Sequence, residues 1–223
     1  MATLARPRGR SKDAEALLRE DHRKVNGLFR QFESSEGPLR KHELARRICD
    51  ELIVHSRLEE EIFYPACRAK GVQDDLLDEA QVEHDTLKFL VSDLAKRAPE
   101  SSFYDAKVAV LAEYVKHHVK EEEKPESGIF ARAREAGVDM AGLASRIEER
   151  KQQLVAQAEA GTIGAPVLRS IGSHAGTRGR GGDDDYVRGG GPSRFGSPQL
   201  DERNRFTSGD ATGRARRPPS GRG

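Results

Sequence analysis

Four segments of this sequence share one pattern: an apolar stripe with helical spacing is interrupted by a histidine. Apolar residues three and four positions apart lie on one face of a helix, and that face packs against the core. A histidine within the stripe therefore points into the core as well. The four histidines are His22, His55, His84 and His118. We expect a chain with this pattern to bring four helices, and with them four imidazoles, into one interior.

The stripes and the proline and glycine residues between them predict the helices. They are expected over residues 13–33, 38–69, 73–97 and 102–124. Pro65 is expected to kink or end the second helix, because proline lacks an N–H and its ring clashes with the preceding turn. A short helical piece over 129–136 and an amphipathic helix over 139–160 follow. Four long helices with short connections predict an all-α fold, an antiparallel up-down-up-down four-helix bundle with a fifth C-terminal helix.

Composition changes at both ends of the chain. Residues 1–12 carry four basic and no acidic residues, and we interpret them as a flexible basic arm. Residues 161–223 hold fifteen of the 22 glycines and eleven arginines without apolar periodicity, which predicts a disordered Gly/Arg-rich tail because too little apolar surface can be buried. The bundle is expected to occupy residues 13–136 and the additional helix residues 137–160.

Net charge, like glycine, is unevenly distributed along the chain. The arm carries +4 and the tail +5, so that the middle, residues 13–160, carries −8 of the total of +1. Arg-Gly stretches beside Tyr186, Phe195 and Phe206 are typical of segments that bind single-stranded nucleic acid. Three aspartates at 183–185 dilute this charge, so we favour a solubilising or tethering role for the tail over nucleic-acid binding.

Cellular location can be predicted only from what the sequence lacks. No uncharged apolar stretch approaches about 18 residues, so a membrane span is not expected. The N-terminal residues have no apolar core of a secretory signal. Two cysteines, Cys49 and Cys67, are too few for a disulfide framework. The chain is therefore expected to be cytoplasmic with reduced thiols.

Two of the four histidines are followed, four residues later, by a glutamate on the same helix face. These glutamates are Glu59 and Glu122. A glutamate buried without a partner is costly, so two of them facing four histidines indicate that cations lie between them. Imidazole nitrogens and carboxylate oxygens suit iron, manganese or zinc. Four nitrogens and two carboxylates that can bridge are enough to hold two metal ions.

Neighbouring residues offer other ligands. His117 lies off the apolar stripe and is interpreted as a flanking residue, although its five-residue spacing to Glu122 keeps it open as an alternative. Single histidines on an apolar face are more often plain core residues, but four coincident cases favour a metal site. The other glutamates beside Glu59 and Glu122 are expected to face solvent: Glu60, Glu61, Glu121 and Glu123.

The motifs resemble those of the hemerythrin-like HHE cation-binding family. They are the strings DHRKVNGLFRQFE, HSRLEEEIFYPA, EHDTLKFL and YVKHHVKEEE, in this order. The resemblance implies an antiparallel four-helix bundle around two iron ions. It also implies that the four histidines are terminal ligands and that Glu59 and Glu122 bridge the ions, with an oxo or hydroxo group completing the bridge.

The sequence departs from the oxygen-carrying members of that family. One turn from His84, where oxygen carriers have a second histidine, stand Ala80 and Lys88. The fourth helix has Glu122 in place of an aspartate five residues after the histidine. One iron is therefore expected to have a more open coordination sphere, which argues against simple oxygen carriage and leaves room for exchange or reaction.

The expected function is that of a non-haem di-iron protein, which binds or senses O2 or a related small oxidant such as peroxide or nitric oxide. A binding protein without catalytic residues is favoured over an enzyme. The alternatives are a di-iron enzyme with ferroxidase-like or peroxide-disproportionating activity, and an iron-binding scaffold with a nucleic-acid-binding tail. The sequence leaves the metal in the cell and the oligomeric state open.

Overall fold

The structure, a computed structural model, describes residues 12–170, and within them it is helical with no β-strand. Seven α-helices and one π-helical turn follow one another. They are α1 (Ala14–Ser34), α2 (Pro38–Leu58), the π-turn (Glu59–Phe63), α3 (Tyr64–Ala69), α4 (Asp74–Leu94), α5 (Tyr104–Glu122), α6 (Ile129–Glu135) and α7 (Met140–Glu159). The all-α prediction is confirmed for these residues, and the expected helices agree with the observed ones to within a few residues.

Local sequence explains where the first helices begin. The Asp13 side chain accepts a hydrogen bond from the Ala16 N–H at 2.9 Å and so satisfies one of the free donors in the first turn of α1. Between α1 and α2 the chain turns at Gly37, whose φ of 84° is unfavourable for other residues. Pro38 then occupies the first turn of α2, where its missing N–H costs nothing.

The expected kink at Pro65 takes the form of a π-turn. The second helix continues to Ala69, but the Tyr64 N–H bonds the carbonyl of Glu59, five residues earlier instead of four. Such a wide turn gives room for Pro65, which has no N–H and would clash in a regular helix. Because the wide turn takes up one extra residue, the side chains that follow are shifted by one position around the helix.

Helix packing places the candidate site between two apolar clusters. Helix α1 packs against α2 and α5, α4 packs against α5 and α2, and α7 covers α1 and α2. One cluster gathers the beginning of α1, the end of α2, and α3, α6 and α7 around Leu18, Phe63 and Phe130. The other gathers the end of α1, the beginning of α2, and α4 and α5 around Phe29, Ile48 and Leu111.

After α7 the chain turns and runs back along the groove between α2 and α4. We call residues 161–170 the strap. Ile163 of the strap packs against both apolar clusters. The strap falls within the segment that the composition predicts to be disordered, yet it is held by polar contacts with buried side chains of α4, which no local pattern in the sequence reveals. The arm at 1–11 and the rest of the tail at 171–223 lie outside the described residues.

None of the helices within residues 12–170 has a stretch long and apolar enough to cross a bilayer.

Candidate metal centre

The six predicted side chains meet in the polar layer between the two apolar clusters. They form two groups whose nitrogen and oxygen atoms lie within 4.8 Å of one another. The first group is His22, His55, Glu59 and Glu122, and the second is Glu59, His84 and His118. All six are buried, and Glu59 has no exposed surface at all. Glu59 belongs to both groups, so the two are neighbouring parts of one centre.

Distances within the centre match those between ligands of a metal ion. The Nε2 atoms of His22 and His55 are 3.1 Å apart, as are those of His84 and His118. Glu59 Oε2 lies 3.1 Å from His55 Nε2 and 3.2 Å from His84 Nε2. Two ligand atoms at right angles around an ion, each about 2.1 Å from it, are separated by about 3.0 Å.

Glu122 faces both groups from α5. Its Oε2 lies 3.4 Å from His22 Nε2 and 3.6 Å from His118 Nε2. The end of α5 that presents Glu122 is closely packed by Gly128, where a Cβ atom would stand 2.3 Å from the Glu122 carbonyl oxygen. Only glycine can approach the helix end so closely, and Gly128 therefore lets the chain turn directly beneath this carboxylate.

Each inward-facing histidine has a carboxylate behind it. Nδ1 of His22 lies 2.7 Å from Glu123, that of His84 lies 3.0 Å from Glu60, and that of His118 lies 2.8 Å from Glu83. The fourth pair is looser: His55 Nδ1 and Asp21 Oδ2 are 3.9 Å apart. A carboxylate at Nδ1 keeps the proton on that nitrogen, and this leaves the Nε2 lone pair free to point inward.

The interior of the centre is thus made of hydrogen-bond acceptors. Neutral imidazoles that donate through Nδ1 present Nε2 as an acceptor, and the ionised carboxylates of Glu59 and Glu122 only accept. Acceptors 3.1 Å apart repel unless a proton or a metal cation lies between them. The donor set, with nitrogen and carboxylate oxygen in two adjoining groups, fits divalent transition metals.

Two carboxylate oxygens give an independent test of this fit. Glu59 Oε1 and Glu122 Oε2 are fully buried and have no hydrogen-bond partner within residues 12–170. A buried oxygen of an ionised carboxylate without a partner is costly, so that such atoms are rare in native proteins. Metal coordination at these two oxygens would satisfy both. The residues present therefore fit a pair of metal ions.

Charge coupling in the metal-free chain is strong. Burial alone would lower the pKa of His84, but its hydrogen bonds with Glu59 and Glu60 raise that pKa to about 9. At His22, burial would lower the pKa, but Glu122 and Glu123 outweigh it and the pKa is raised. At His55, Glu59 and Asp21 outweigh the effect of burial, and that pKa is raised as well. Protons thus occupy the positions where cations are favoured, and a metal ion must displace them.

Tyr64 is part of the centre although the sequence pattern did not indicate it. Its hydroxyl donates to Glu122 Oε1 at 2.9 Å and lies 3.3 Å from Glu59 Oε2. Its ring stacks on His84, with ring centroids 5.6 Å apart. The π-turn explains the position, because Tyr64 follows Glu59 by five residues and the wide turn brings it to the same face. The phenol and the ring together hold the carboxylates and one imidazole in place.

Glu60 corrects an expectation drawn from the sequence. It was predicted to face solvent, but it is buried. Its Oε1 accepts from His84, from Lys88 Nζ at 2.5 Å and from Gln81 at 3.1 Å. The expectation was wrong because a regular helix would turn Glu60 away from the core, whereas α4 and the strap lie over this side of the helix and cover it.

Each carboxylate that faces an Nδ1 atom also has a cationic or hydrogen-bond-donating side chain on its outer side. Arg19 bonds Glu123, Lys151 of α7 bonds Asp21, and His117 Nε2 lies 3.3 Å from Glu83 Oε1. Lys88 and Arg169 both bond Glu60. Each inward-facing imidazole is thus followed by a carboxylate and then by a cationic or donor group, a chain that lowers the cost of burying the carboxylates.

The remaining candidate ligands stay away from the centre. The side chain of His117 is 58% exposed and lies beside Glu83 instead of entering the centre. Glu61 pairs with Arg150, and Glu121 pairs with Lys124 on the surface. Glu123, expected to face solvent, is instead half-buried behind His22. His174 lies outside the described residues.

A small apolar cavity adjoins the four histidines. Its volume is about 20 Å³, which is room for about one water-sized molecule. Lys88 and Asp21 reach its edge. The apolar walls are formed by Val25, Leu52, Ile53, Leu87, Val91, Val115 and Val119. A molecule of about that size can therefore lie beside the centre.

Comparison with known proteins agrees with the geometry. The family model described as hemerythrin HHE cation binding domain matches residues 13–125. The chain is similar in fold to a hemerythrin HHE cation-binding domain-containing protein from Mycobacterium kansasii, with a TM-score of 0.55 and 22% identity over 72% of this chain and 100% of that one.

One curated relative is larger than this chain. A protein named DNA nickase from Nostoc sp. is 32% identical over 121 residues, which is 53% of this chain. The chain spans about a third of that relative's length, since the match covers 32% of it.

Proposed function

Because the chain belongs to the hemerythrin HHE cation-binding domain family, we propose that its centre holds two iron ions and binds or senses O2 or a related small oxidant, such as peroxide or nitric oxide. The observation that carries this proposal is the pair of adjoining donor groups that share Glu59. The unpartnered oxygens of Glu59 and Glu122 support it further. The ligands of one six-coordinate ion would all lie within about 4.2 Å of one another. These six donors fall into two groups instead, which favours two ions.

The residues divide between the two ions as the two groups do. His22 and His55 would hold one ion, and His84 and His118 the other, while Glu59 and Glu122 reach both. We also propose that α1, α2, α4 and α5 form the antiparallel up-down-up-down bundle that the sequence predicts. The neighbour pairs α1–α2, α2–α4, α4–α5 and α5–α1 support this arrangement, because they close a ring of four helices.

Two iron ions in the reduced state would supply electrons to an oxidant bound beside them. The chain's own residues set the conditions for that chemistry. The valine and leucine walls of the cavity offer few hydrogen-bond partners, which favours a small apolar molecule over water. The Tyr64 hydroxyl, hydrogen-bonded to Glu122, keeps a proton within the centre, and burial and the nearby carboxylates raise its pKa well above the usual value.

Metal analysis combined with an optical spectrum tests the proposal. The purified chain is loaded with Fe(II) under nitrogen, its iron content is measured, and air is then admitted. We expect about two irons per chain and an absorption change on exposure to air. His118→Ala should lower the iron content, whereas His42→Ala, beside Tyr104 and outside both donor groups, should leave it unchanged. No iron uptake by the unsubstituted chain would contradict the proposal.

An enzyme working through the same centre is the alternative. Ferroxidase-like oxidation of added Fe(II), or disproportionation of peroxide, would use the same residues. A binding or sensing protein reacts with about one ligand per centre and stops, whereas an enzyme continues. Oxygen consumption followed over many equivalents of Fe(II) or peroxide separates the two, and sustained turnover would favour the enzyme.

The relative named DNA nickase favours a nucleic-acid function as a second candidate. Residues 13–160 carry a net charge of −8, so the basic ends of the chain are the segments suited to phosphate. The test compares the full chain with a version ending at residue 170 in binding and nicking of supercoiled plasmid. Salt-sensitive binding that requires residues 171–223 would support this function, and equal behaviour of both chains would exclude a role for the tail.

The state of the cysteines bears on cellular location. Cys49 and Cys67 are both free and buried, and burial raises the pKa of each thiol to about 12. Free thiols fit a reducing compartment, and we propose that the chain works in the cytoplasm. Fractionation of cells that express the full chain checks this, and recovery from a secreted fraction would contradict it.

A further inference from the structure

The strap contacts the metal centre through Glu60. Nε of Arg169 in the strap lies 2.9 Å from Glu60 Oε2, and the two side chains form an ion pair. The other oxygen of the same carboxylate, Oε1, lies 3.0 Å from Nδ1 of His84. One carboxylate therefore joins a residue of the strap to an imidazole of the centre.

Contacts on both sides of Arg169 hold the strap in place. Asp85 Oδ2, fully buried on α4, accepts from the N–H of Arg169 at 2.8 Å and from the N–H and hydroxyl of Ser170 at 2.5 and 2.8 Å. Lys88 donates to the carbonyl of Val167 at 3.0 Å and to Glu60. A buried carboxylate that receives three donors from two successive residues fixes the backbone direction, and with it the position from which Arg169 reaches Glu60.

The His22 side of the centre has the same arrangement from a different source. There Arg19 bonds Glu123, and Glu123 bonds Nδ1 of His22. Both Arg19 and Glu123 belong to the segment that matches the family, residues 13–125. The corresponding arginine behind His84 lies at position 169, well outside that segment. The chain thus completes one side of its centre with a residue that the family domain does not contain.

Resting on the proposed function, we propose that Arg169 is a positioning residue for the metal ion on the His84 side. By pairing with Glu60, the strap keeps this carboxylate on Nδ1 of His84 and so keeps Nε2 aimed into the centre. Arg169 touches neither the inner ligands nor the cavity and acts through Glu60. The strap therefore sets the affinity of one of the two metal positions, and the other position depends on Arg19.

Fe(II) titration of the full chain under nitrogen, against a competing chelator, tests this. Loss of a group that orients a metal-bound histidine typically costs 10–100-fold in metal affinity. Arg169→Gln should weaken one of two binding steps by about 10-fold or more and leave the other unchanged, and Arg169→Lys should restore part of the loss. Arg19→Gln should weaken the other step. The control is Arg57→Gln, because Arg57 lines the same crevice as Arg169 and no bond joins it to Glu60 within residues 12–170.

Mössbauer spectra of the ⁵⁷Fe(II)-loaded chains provide a signature that a general loss of stability would not produce. We expect two iron signals, of which Arg169→Gln changes one and Arg19→Gln the other. Equal weakening of both steps, or no change with Arg169→Gln while the unsubstituted chain binds two irons, would overturn the role of Arg169 and leave the proposed function standing. No iron binding by the unsubstituted chain would overturn both.

Discussion

The two sides of the centre have matching inner residues and different outer supports. On the His22 side, made by His22 and His55, one carboxylate is hydrogen-bonded and the other, Asp21, stands 3.9 Å from its imidazole. On the His84 side, made by His84 and His118, both imidazoles are bonded to carboxylates, at 3.0 and 2.8 Å. The aromatic cover differs too, since Phe130 stacks on His22 and Tyr64 on His84.

The histidines and shared glutamates are therefore alike on the two sides, and the carboxylates at Nδ1 are what distinguish the two positions. In the proposed centre, four imidazoles and two shared carboxylates would give each of the two ions an equivalent set of donors. Hydrogen bonds at Nδ1 raise the basicity of an imidazole and fix its orientation, so that tighter outer pairing predicts tighter metal binding. The His84 side is therefore expected to bind its ion more tightly than the His22 side.

The largest effect on iron content is expected from a change in Glu59, which both sides of the centre share. Glu59→Gln removes the charge that both sides share and should abolish binding of two irons per chain, because each ion loses an anionic ligand in a buried place. Iron content after anaerobic loading and gel filtration measures this. Glu61→Gln, two residues away and paired with Arg150 on the surface, is the matched control and should keep both irons. Retention of two irons by Glu59→Gln would refute the shared role.

Removing one imidazole should affect one side. His22→Ala and His84→Ala are each expected to reduce iron content from about two to about one per chain, because the other group keeps its own histidines. The iron that remains should be bound more tightly in His22→Ala than in His84→Ala, because the better-supported His84 side is intact in His22→Ala. Chelator competition measures that affinity, and the reverse order would contradict the ranking of the two sides.

The dependence of stability on pH should differ between the metal-free and the loaded chain. Hydrogen bonds raise the pKa of His84 to about 9 in the folded metal-free chain, against about 6.5 when unfolded. The resulting stability is fully present below about pH 6.5 and is lost as pH rises through about 9, on the order of 3 kcal/mol in all.

Bound iron replaces this proton, so the stabilisation by iron should grow over the same pH window. Urea unfolding under nitrogen between pH 6 and 9, with and without Fe(II), measures both effects. In His84→Ala the metal-free chain should lose part of its pH dependence. A metal-free chain whose stability is constant between pH 6.5 and 9 would count against this account of His84.

The smallest effect is expected from a change that touches both sides equally. Tyr64→Phe removes the hydroxyl that donates to Glu122 and lies 3.3 Å from Glu59 Oε2, but it keeps the ring that stacks on His84. A hydrogen bond to a charged group contributes about 1.5–3 kcal/mol. Divided between the two iron-binding steps, this loss should weaken each step by roughly 10-fold or less. The titration that resolves the two steps is the measurement. A selective effect on one step would mean that Tyr64 belongs to one side only.

Periodicity in the sequence was enough to predict the helices and the six side chains that meet. A stripe of apolar residues fixes which way a helix faces, so His22, His84 and Glu122 could be placed in the interior from local spacing alone. His117 and His118 could be separated in the same way, and the structure leaves His117 on the surface. These inferences succeed because burial on one helix face is a local property of the sequence.

The outer groups could not be predicted, for two physical reasons. Tyr64 depends on the π-turn, which brings the fifth residue after Glu59 to the face where a regular helix would place the fourth. A proline after a run of glutamates was the only signal of that irregularity. Glu60, Asp85 and the strap depend on contacts between residues far apart in the chain, and no local spacing pattern reveals such contacts.

The position of the strap late in the chain has a consequence for synthesis. All six inner residues have left the ribosome's catalytic centre once Glu122 has been added, whereas Arg169 comes 47 residues later. At about 5–20 residues per second, this interval is roughly 2 to 9 s. During that time the His84 side has its ligands but not its outer arginine. If Arg169 has the role proposed above, a metal ion bound during this interval would exchange more readily than one bound after Arg169 has been added.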